Sequence, residues 1–208
     1  RRTTAWALRS KKAHRREDQA LFGIVQGGIF EDLRKKSTEQ LVELDLDGYA
    51  VGGLSLGEGK RETDTLLGVV TDNLPAEKPR YVMGMGTPGD IIRGIGHGAD
   101  MFDCVIPTRH ARRGNLFTWS GRISIKNAEY IENQSPIDEG CECPTCRQGF
   151  SRAYLRHLFQ AGEMLGYRLM TMHNLYFYQD LLRRAREAIR TGGFSSFAQD
   201  LLAGPVGS

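Results

Sequence analysis

A short apolar segment that ends in glycine or a polar residue, and is followed by a helical pattern, occurs four times in the first half of the chain. The four segments, LFGIVQGG, GYAVGGL, RYVMGMG and MFDCVIP, are predicted to be strands. Strands covered by helices are almost continuously apolar, and alternating strands and helices form parallel sheets. The repeat therefore predicts an α/β fold built on a parallel sheet or barrel.

The segments between these strands have amphipathic helical spacing. In EDLRKKSTEQLVEL the apolar face is predicted to contain Leu33, Leu41 and Leu44. In RETDTLLGVVTDNL, which Pro75 terminates, the predicted buried face contains Leu66, Leu67, Val70 and Leu74. A third helix, interrupted by glycines, is predicted to begin at Pro88.

Beyond Pro107 the pattern changes to two short alternating segments, NLFTWSG and RISIKNAEY. A cysteine-rich loop follows, and then a helix predicted over 151–169. We expect residues 1–115 to form a domain of strands and helices, and residues 116–208 to form a metal-stapled subdomain with C-terminal helices.

The cysteine-rich loop has the composition of a closed metal site. Its sequence CECPTC supplies Cys141, Cys143 and Cys146, and zinc prefers four thiolate or imidazole ligands in a tetrahedron. We expect His173 to be the fourth ligand, in preference to His157, which lies in the middle of the predicted helix. A disulfide with one leftover thiol is the alternative.

The composition limits the class of protein and its compartment. No apolar run approaches the roughly 20 residues that cross a bilayer, and clustered cysteines are typical of a reducing compartment. We therefore expect a cytoplasmic protein with no membrane segment. The net charge is +3, with basic residues concentrated in RRTTAWALRSKKAHRR, PTRHARR and LLRRAREAIR. These runs suggest a polyanionic partner, although each one alone is more often a solvated helix face.

Unusual residues are predicted at the carboxyl ends of the four strands, the edge where α/β folds build their sites. They are Gln26, Gly53, Met83 with Gly84, and Asp103. The glycine pairs in GIVQGG and AVGGL allow main-chain amides to approach a flat ligand, and Gln26 offers both a donor and an acceptor. This combination suits a nucleobase, while tight strand-to-helix turns are the simpler alternative.

Asp103 is the sharpest candidate for chemistry. A carboxylate inside the apolar segment MFDCVIP is costly unless it is hydrogen-bonded, paired or directed into a polar site. It is therefore either a loop cap or a nucleophile or base. The nearby Arg109, Arg112 and Arg113 favour the functional interpretation, because they can hold an anion beside it.

The segment from Gly84 to Gly89 matches the dinucleotide pattern G-x-G-x-x-G and follows a predicted strand. Pro88 inside the pattern and the glycine-broken helix after it argue against a dinucleotide site. Free amides at a helix start still bind phosphate of any origin, including an RNA backbone.

Taken together, the segments LFGIVQGG, DGYAVGGLSLGEG, YVMGMGTP, DMFDCVIPTRHARRG, CECPTC, SRAYLRHL and MTMHN resemble bacterial tRNA-guanine transglycosylase, the queuine tRNA-ribosyltransferase family. The resemblance implies a (β/α)8 TIM barrel, of which residues 1–115 would be about the C-terminal half, with an inserted zinc-binding subdomain. It implies exchange of a wobble guanine in tRNA for a 7-deazaguanine, with preQ1 preferred over queuine. It also implies a homodimer.

The resemblance assigns roles to individual residues. Asp103 would be the catalytic nucleophile that attacks C1′ of the ribose. The substrate-binding residues would be Gln26, Gly53, Leu54, Met83 and Glu58. The RNA-binding residues would be Gly84, Met85, Gly86, Thr87, Pro88, Gly89, Asp90, Thr108, Arg109, His110, Ala111 and Arg112. A structural Zn²⁺ would be held by Cys141, Cys143, Cys146 and His173.

Two family aspartates, the general acid/base and a second one that recognises the base, would lie upstream of Arg1. Because the sequence begins without methionine, we expect a piece of a longer protein that would expose sheet edges if isolated. A non-catalytic, zinc-stabilised tRNA-binding subunit, or an inactive fragment, is the alternative function. An NAD-dependent oxidoreductase is a third hypothesis.

Overall fold

The computed structural model describes residues 2–54 and 59–207, which divide into two compact units. The first unit comprises residues 2–54, 59–86 and 90–104. The second comprises residues 87–89 and 105–207. Glu58, predicted to support base binding, lies outside the described residues.

The first unit is built on a parallel sheet with strand order β1-β2-β3-β4. Helices and strands alternate along the chain as α1 (Arg2–Ala13), β1 (Phe22–Val25), α2 (Glu31–Val42), β2 (Gly48–Val51), α3 (Lys60–Thr71), β3 (Arg80–Val82), α4 (Pro88–Gly96) and β4 (Met101–Phe102). All four strands predicted from the sequence are present. The predicted α/β fold with a parallel sheet is confirmed, and the four strands by themselves do not make a complete barrel.

The core of the first unit lies between the sheet and its helices. Val25, Val51 and Val82, one from each of three adjacent strands, are fully buried. The predicted burial of Leu66, Leu67 and Val70 of α3, and of Leu74 just after the helix, is confirmed. Burying apolar side chains from both layers is the main stabilising contribution.

The predicted face of α2 is partly wrong. Leu33 is exposed, whereas the buried row of this helix consists of Arg34, Thr38 and Leu41. These three residues follow the helical spacing i, i+4 and i+7, so the helix is amphipathic with a different phase. The error arose because the sequence pattern assigned every charged residue of this helix to solvent.

The second unit packs a two-stranded antiparallel hairpin and a metal-ligand loop against one long helix. Its elements are α5 (Ile106–Arg112), β5 (Asn115–Thr118), β6 (Gly121–Ser124), a 3-10 turn (Ala128–Tyr130), α6 (Pro144–Arg147), α7 (Arg152–Gln160), α8 (Met164–Arg190) and α9 (Phe194–Ala203). Its core includes Leu116, Ile125, Ile137, Leu155 and Met170.

Three element boundaries differ from the predictions. Helix α3 ends at Thr71, four residues before Pro75, which was expected to terminate it. The fourth strand contains only Met101 and Phe102, and Ile106 with Pro107 begins α5, since proline is favourable in the first helical turn. The helix predicted over 151–169 is two helices. Gly162 adopts φ +71°, a left-handed conformation that ends α7 before α8 begins.

Among the described residues, no helix has both the length and the apolar character that spanning a bilayer requires. The domain boundary predicted after residue 115 stays a prediction.

Candidate functional site

The strand register of the first unit aligns the predicted site residues in one row. Val25 pairs with Val51, Val51 with Val82, and Val82 with Phe102. The residues that follow this row are Gln26, Gly52, Met83 and Asp103. Adjacent strands lie about 4.8 Å apart, so these residues occupy one edge of the sheet, as predicted.

Asp103 follows β4 directly, and its side chain is exposed. The Tyr81 hydroxyl donates a hydrogen bond of 2.6 Å to Oδ1 of Asp103. The Gly84 amide donates a second bond of 2.9 Å to the same oxygen. Gly84 has φ +72°, a conformation that glycine adopts without steric cost. Both donors come from β3 and the turn that follows it, so the strand next to β4 fixes one oxygen of the carboxylate.

The two donors also determine the charge of Asp103. The hydrogen bond from Tyr81, and after it the bond from the Gly84 amide, lowers the pKa of Asp103, while partial burial acts in the opposite direction. The same contact raises the pKa of Tyr81, so the phenol stays protonated and remains a donor. Asp103 is consequently a carboxylate at neutral pH.

The glycine loops after β1 and β2 are joined by Arg34 of α2. Its guanidinium donates to the carbonyl oxygens of Gly28, Gly52 and Gly53 at 2.8, 3.1 and 2.9 Å. The side chain of Gln26 lies against the second loop, because a Cβ added to Gly53 would be 2.7 Å from its Oε1. The loops predicted from GIVQGG and AVGGL therefore form one connected structure.

The remaining substrate candidates in this unit differ in exposure. Met83 is half-buried at the end of β3. Leu54 is buried in the core, so its main chain rather than its side chain is available to a ligand. Met85 is likewise a core residue. Gly86 passes so close to Cys104 that an added Cβ would lie 2.0 Å from the sulfur, which requires glycine at this position.

The metal-ligand loop of the second unit brings Cys141, Cys143, Cys146 and His173 together. Their ligand atoms all lie within 4.8 Å of one another. Cys143 and His173 are fully buried, whereas Cys141 is half-buried. All four cysteines of the chain are free thiols, which argues against the alternative of a disulfide. His157 is exposed and is not part of this group, as predicted.

The geometry of these four residues fits a tetrahedral metal ion. Tetrahedral zinc, with bonds of about 2.3 Å to sulfur and about 2.0 Å to nitrogen, holds its ligand atoms roughly 3.5 to 3.8 Å apart. Nδ1 of His173 lies 3.7, 3.5 and 3.6 Å from the sulfurs of Cys141, Cys143 and Cys146. The set can hold a metal through four protein ligands, which is typical of a structural site.

The protonation of the three cysteines and His173 depends on the hydrogen bonds among them. Contacts with Cys141 and Cys146 lower the pKa of Cys143, and the corresponding contact raises the pKa of Cys141. Burial lowers the pKa of His173, but bonds with Cys143 and Cys146 outweigh it and raise the pKa to about 9. These four residues would hold a metal as thiolates and a neutral imidazole, so they would release their protons on binding it.

His173 and its neighbour Asn174 attach the metal group to the hairpin. Nε2 of His173 donates to the Phe117 carbonyl at 2.8 Å, which leaves Nδ1 directed at the three sulfurs. The side-chain carbonyl oxygen of Asn174 accepts a hydrogen bond of 3.1 Å from the main-chain amide of Phe117. The side-chain nitrogen of Asn174 donates hydrogen bonds to the main-chain carbonyls of Pro107 and Asn115. Both side chains are fully buried, so α8 holds β5 and the start of α5.

Helix α5 contains the second predicted RNA-binding segment. Arg109 and Arg112 are exposed, and among the described residues neither forms an ion pair. Ala111 is fully buried, so its side chain packs in the core of the second unit. His110 stacks on Phe117 with ring centroids 5.4 Å apart. Burial, followed by the charges of nearby arginines, lowers the pKa of His110.

Three residues of these sites were not predicted from the sequence: Arg34, Tyr81 and Asn174. The i, i+4, i+7 row of α2 is a signal for Arg34, but a charged residue is normally assigned to solvent. Tyr81 lies in a three-residue strand, and its partner Asp103 is far along the chain. Asn174 is adjacent to the predicted ligand His173, but nothing in the sequence marks it as a residue that joins three main-chain groups.

Fold and site define an α/β protein with polar groups at the carboxyl ends of parallel strands and a separate Cys3His metal centre. A family model described as queuine tRNA-ribosyltransferase matches residues 1–204. The chain therefore belongs to the queuine tRNA-ribosyltransferase family.

Individual relatives carry the same description. A queuine tRNA-ribosyltransferase of Solidesulfovibrio magneticus is 54% identical over 203 residues, which is 97% of this chain and 54% of the relative. One of Syntrophobacter fumaroxidans is 58% identical over 193 residues, 93% of this chain and 52% of the relative. One of Methylobacillus flagellatus is 52% identical over 199 residues, which is 96% of this chain and 54% of the relative. The chain thus spans about half the length of the curated relatives it matches.

Proposed function

We propose that this chain is the C-terminal part of a tRNA-guanine transglycosylase, a pentosyltransferase that exchanges the wobble guanine of tRNA for preQ1. The observation that carries the proposal is the exposed, ionised Asp103 carboxylate, held by Tyr81 and Gly84 at the carboxyl edge of the sheet. Family membership supports the same activity. In the whole protein the four strands would be about half of a (β/α)8 barrel, within the domain predicted over residues 1–115.

In the proposed reaction, an oxygen of Asp103 attacks C1′ of the target ribose. The bond between C1′ and the base nitrogen breaks, its electron pair leaves with guanine, and an ester bond joins Asp103 to the ribose. A ring nitrogen of the incoming base then attacks C1′ and loses its proton to a base, while the ester bond breaks and its electron pair returns to Asp103. The Oδ1 atom is held by two donors, so Oδ2 is the oxygen we assign to attack. The proton that guanine gains must come from another group, which the rest of the protein would supply.

Base recognition is assigned to the neighbouring strand ends. Gln26 and the main chain of Gly53 and Leu54 would hydrogen-bond the base, and Met83 would pack on its ring. Glu58 is proposed to support this loop. These groups suit a purine-like ligand, because glycine allows the main chain to approach a flat ring closely and the polar groups supply several directional hydrogen bonds.

RNA binding is assigned to two segments, residues 84–90 and 108–112. Exposed Arg109 and Arg112 would contact phosphates or bases of the anticodon loop. The proposed metal is zinc, because three thiolates and one imidazole in a closed tetrahedron are its preferred donors. Its role would be structural. A homodimer, and a cytoplasmic site of action where tRNA is modified, complete the proposal.

The test uses the full-length protein and radiolabelled guanine. Asp103→Asn is expected to lower guanine exchange by roughly three orders of magnitude or more, because it removes the nucleophile. It should also abolish the covalent adduct with an anticodon stem-loop while leaving RNA affinity measurable. Asp72→Asn, an exposed carboxylate change at the end of α3, is the matched control and should behave like the wild type.

Normal exchange by Asp103→Asn would contradict the role of Asp103. RNA binding without any exchange by the wild-type protein would instead favour the non-catalytic subunit. Binding of NAD would support the oxidoreductase hypothesis, which family membership disfavours.

A further inference from the structure

Arg34 is a fully buried cation in the middle of the strand-end loops. Burying a guanidinium is unfavourable unless its donors are satisfied by hydrogen bonds. A hydrophobic residue would fill the same position in an ordinary amphipathic helix, as Leu41 does two turns further along α2. The presence of arginine therefore calls for an explanation beyond packing.

The guanidinium connects two separate loops. Nε donates to the Gly28 carbonyl of the first loop, and Nη1 and Nη2 donate to the consecutive Gly52 and Gly53 carbonyls of the second. Only the planar fork of arginine presents donors in this arrangement. The approach requires glycine at position 27, where an added Cβ would lie 2.6 Å from Cγ of Arg34.

The consequence for the second loop follows from peptide geometry. No described peptide bond is cis, and in a trans peptide the N–H points opposite to the C=O. Because the Gly52 and Gly53 carbonyls point at Arg34, the amides of Gly53 and Leu54 point away from it. Gly53 reaches this conformation with φ +65°. Within residues 2–54 and 59–207, neither amide donates to another residue.

We propose that Arg34 is a positioning residue that fixes the Gly53 and Leu54 amides as a pair of donors for a ligand carbonyl oxygen. The inference rests on the proposed function, since that ligand would be the exchanged base. Arg34 itself does not touch the base. It binds the opposite side of the same peptide groups, and it couples the second loop to the first loop that carries Gln26.

The main test compares Arg34→Lys with the wild type in the full-length protein. Lysine keeps the charge but cannot bind three carbonyls in a fork. We expect KM for guanine to rise about 100-fold, because small displacements of positioning groups have effects of this size. The affinity for an anticodon stem-loop that lacks the wobble base should be unchanged, because such an RNA does not use the base site. Lys35→Ala, on the exposed face of the same helix, is the control and should leave all parameters unchanged.

A purely structural role predicts a different result. It would lower the melting temperature and the yield of active protein, with KM for guanine unchanged in the folded fraction. That outcome overturns the proposal. A parallel loss of affinity for guanine and for the stem-loop without the wobble base also overturns it, because Arg34 contacts only the two base-binding loops.

A measurement on the wild type covers the case in which Arg34→Lys does not fold. Added guanine should slow amide hydrogen exchange in residues 31–35 of α2, none of which is assigned to the base, at the same concentration as in residues 48–54, because Arg34 links α2 to the second loop. Protection of only one segment would overturn the proposal. If the wild type binds guanine with this paired protection but does not exchange it into tRNA, the proposed reaction fails while the role of Arg34 stands.

Discussion

Asp103 combines two properties that a nucleophile at a ribose carbon requires. It is ionised at neutral pH, and its side chain is exposed rather than enclosed by the sheet. Tyr81 and Gly84 use only Oδ1, which orients the carboxylate without covering its second oxygen. The two hydrogen bonds fix the direction of the carboxylate. They also lower its basicity, since each bond that lowers the pKa reduces the nucleophilicity of the oxygen that accepts it.

Tyr81→Phe should move the acidic limb of the activity profile. The hydroxyl lowers the pKa of Asp103, so its removal raises that pKa toward the ordinary value. Activity needs the carboxylate and is lost as pH falls through its pKa, so the loss should begin at higher pH in the variant. At neutral pH kcat/KM should fall by no more than about tenfold, because the carboxylate is still ionised.

The measurement is the pH dependence of kcat/KM for guanine exchange by the full-length protein. Tyr167→Phe, which removes a phenol hydroxyl in the second unit, should leave the profile unchanged. An acidic limb that moves to lower pH in Tyr81→Phe would contradict the assignment.

Asp103 was predictable from the sequence because a carboxylate in an apolar strand segment is conspicuous. Its partner Tyr81 was not, because a tyrosine in a strand is an ordinary apolar residue until the parallel register is known. Arg34 escaped prediction for the opposite reason, since a lysine- and arginine-rich helix normally directs its cations to solvent.

At the scale of elements, the metal group joins the loop around α6 to the long helix α8. Cys143 begins α6 as its N-cap, and its sulfur accepts a bond from the Cys146 amide at 3.3 Å. The metal-ligand set was predictable because C-x-C-x-x-C supplies three donors from one turn. The alternative fourth ligand, His157, lies in α7 and its side chain is exposed. The break between α7 and α8 was missed because a continuous apolar pattern outweighed one glycine.

Comparison of His173→Ala with His157→Ala tests the ligand set. His173→Ala should reduce bound zinc per chain and lower the melting temperature by on the order of 10 °C, since a lost ligand removes several kcal/mol from a domain of this size. His157→Ala should retain the full zinc content. Metal analysis after dialysis and thermal unfolding provide the two measurements.

Equal zinc content in the two variants would show that His173 is not a ligand. Treatment of the wild type with a chelator should reproduce the loss of thermal stability seen in His173→Ala. A chelator effect on guanine exchange that precedes any unfolding would argue against a purely structural metal.

At the scale of the whole molecule, the charge distribution matters more than the net charge of +3. Arg183 and Arg184 of the basic run in α8 are paired with Asp180, and Arg190 is paired with Glu187. Arg109 and Arg112 are exposed cations for which the described residues provide no ion-pair partner. Basic runs of similar composition therefore differ in how much unpaired positive charge they present.

Replacement of both Arg109 and Arg112 by alanine should weaken tRNA binding and make it less sensitive to salt. Each phosphate contact contributes about 0.7 to 0.9 to the slope of log affinity against log salt concentration. The slope should therefore fall by roughly 1.5 in the double variant. Arg190→Ala, which removes a paired cation, should leave the slope unchanged, and an equal change in both would contradict the assignment.

The overall organisation was partly predictable. Four apolar segments, each followed by a helical pattern, predict the strands and their parallel direction, because strand–helix alternation has few other solutions. The short helix α5 was not predicted, because VIPTRHARR continues an apolar strand segment and the helical start at Ile106 depends on its packing against α8.

Adjacent positions on a helix differ by about 100° in direction, and α8 uses two of them, His173 and Asn174, to hold one strand. A single inserted or deleted residue between the start of α8 and His173 would rotate both side chains away from β5 together. Length changes in the turn at residues 161–163 leave that phase intact. We therefore expect this chain to tolerate a length change before α8 far better than one within the first ten positions of the helix.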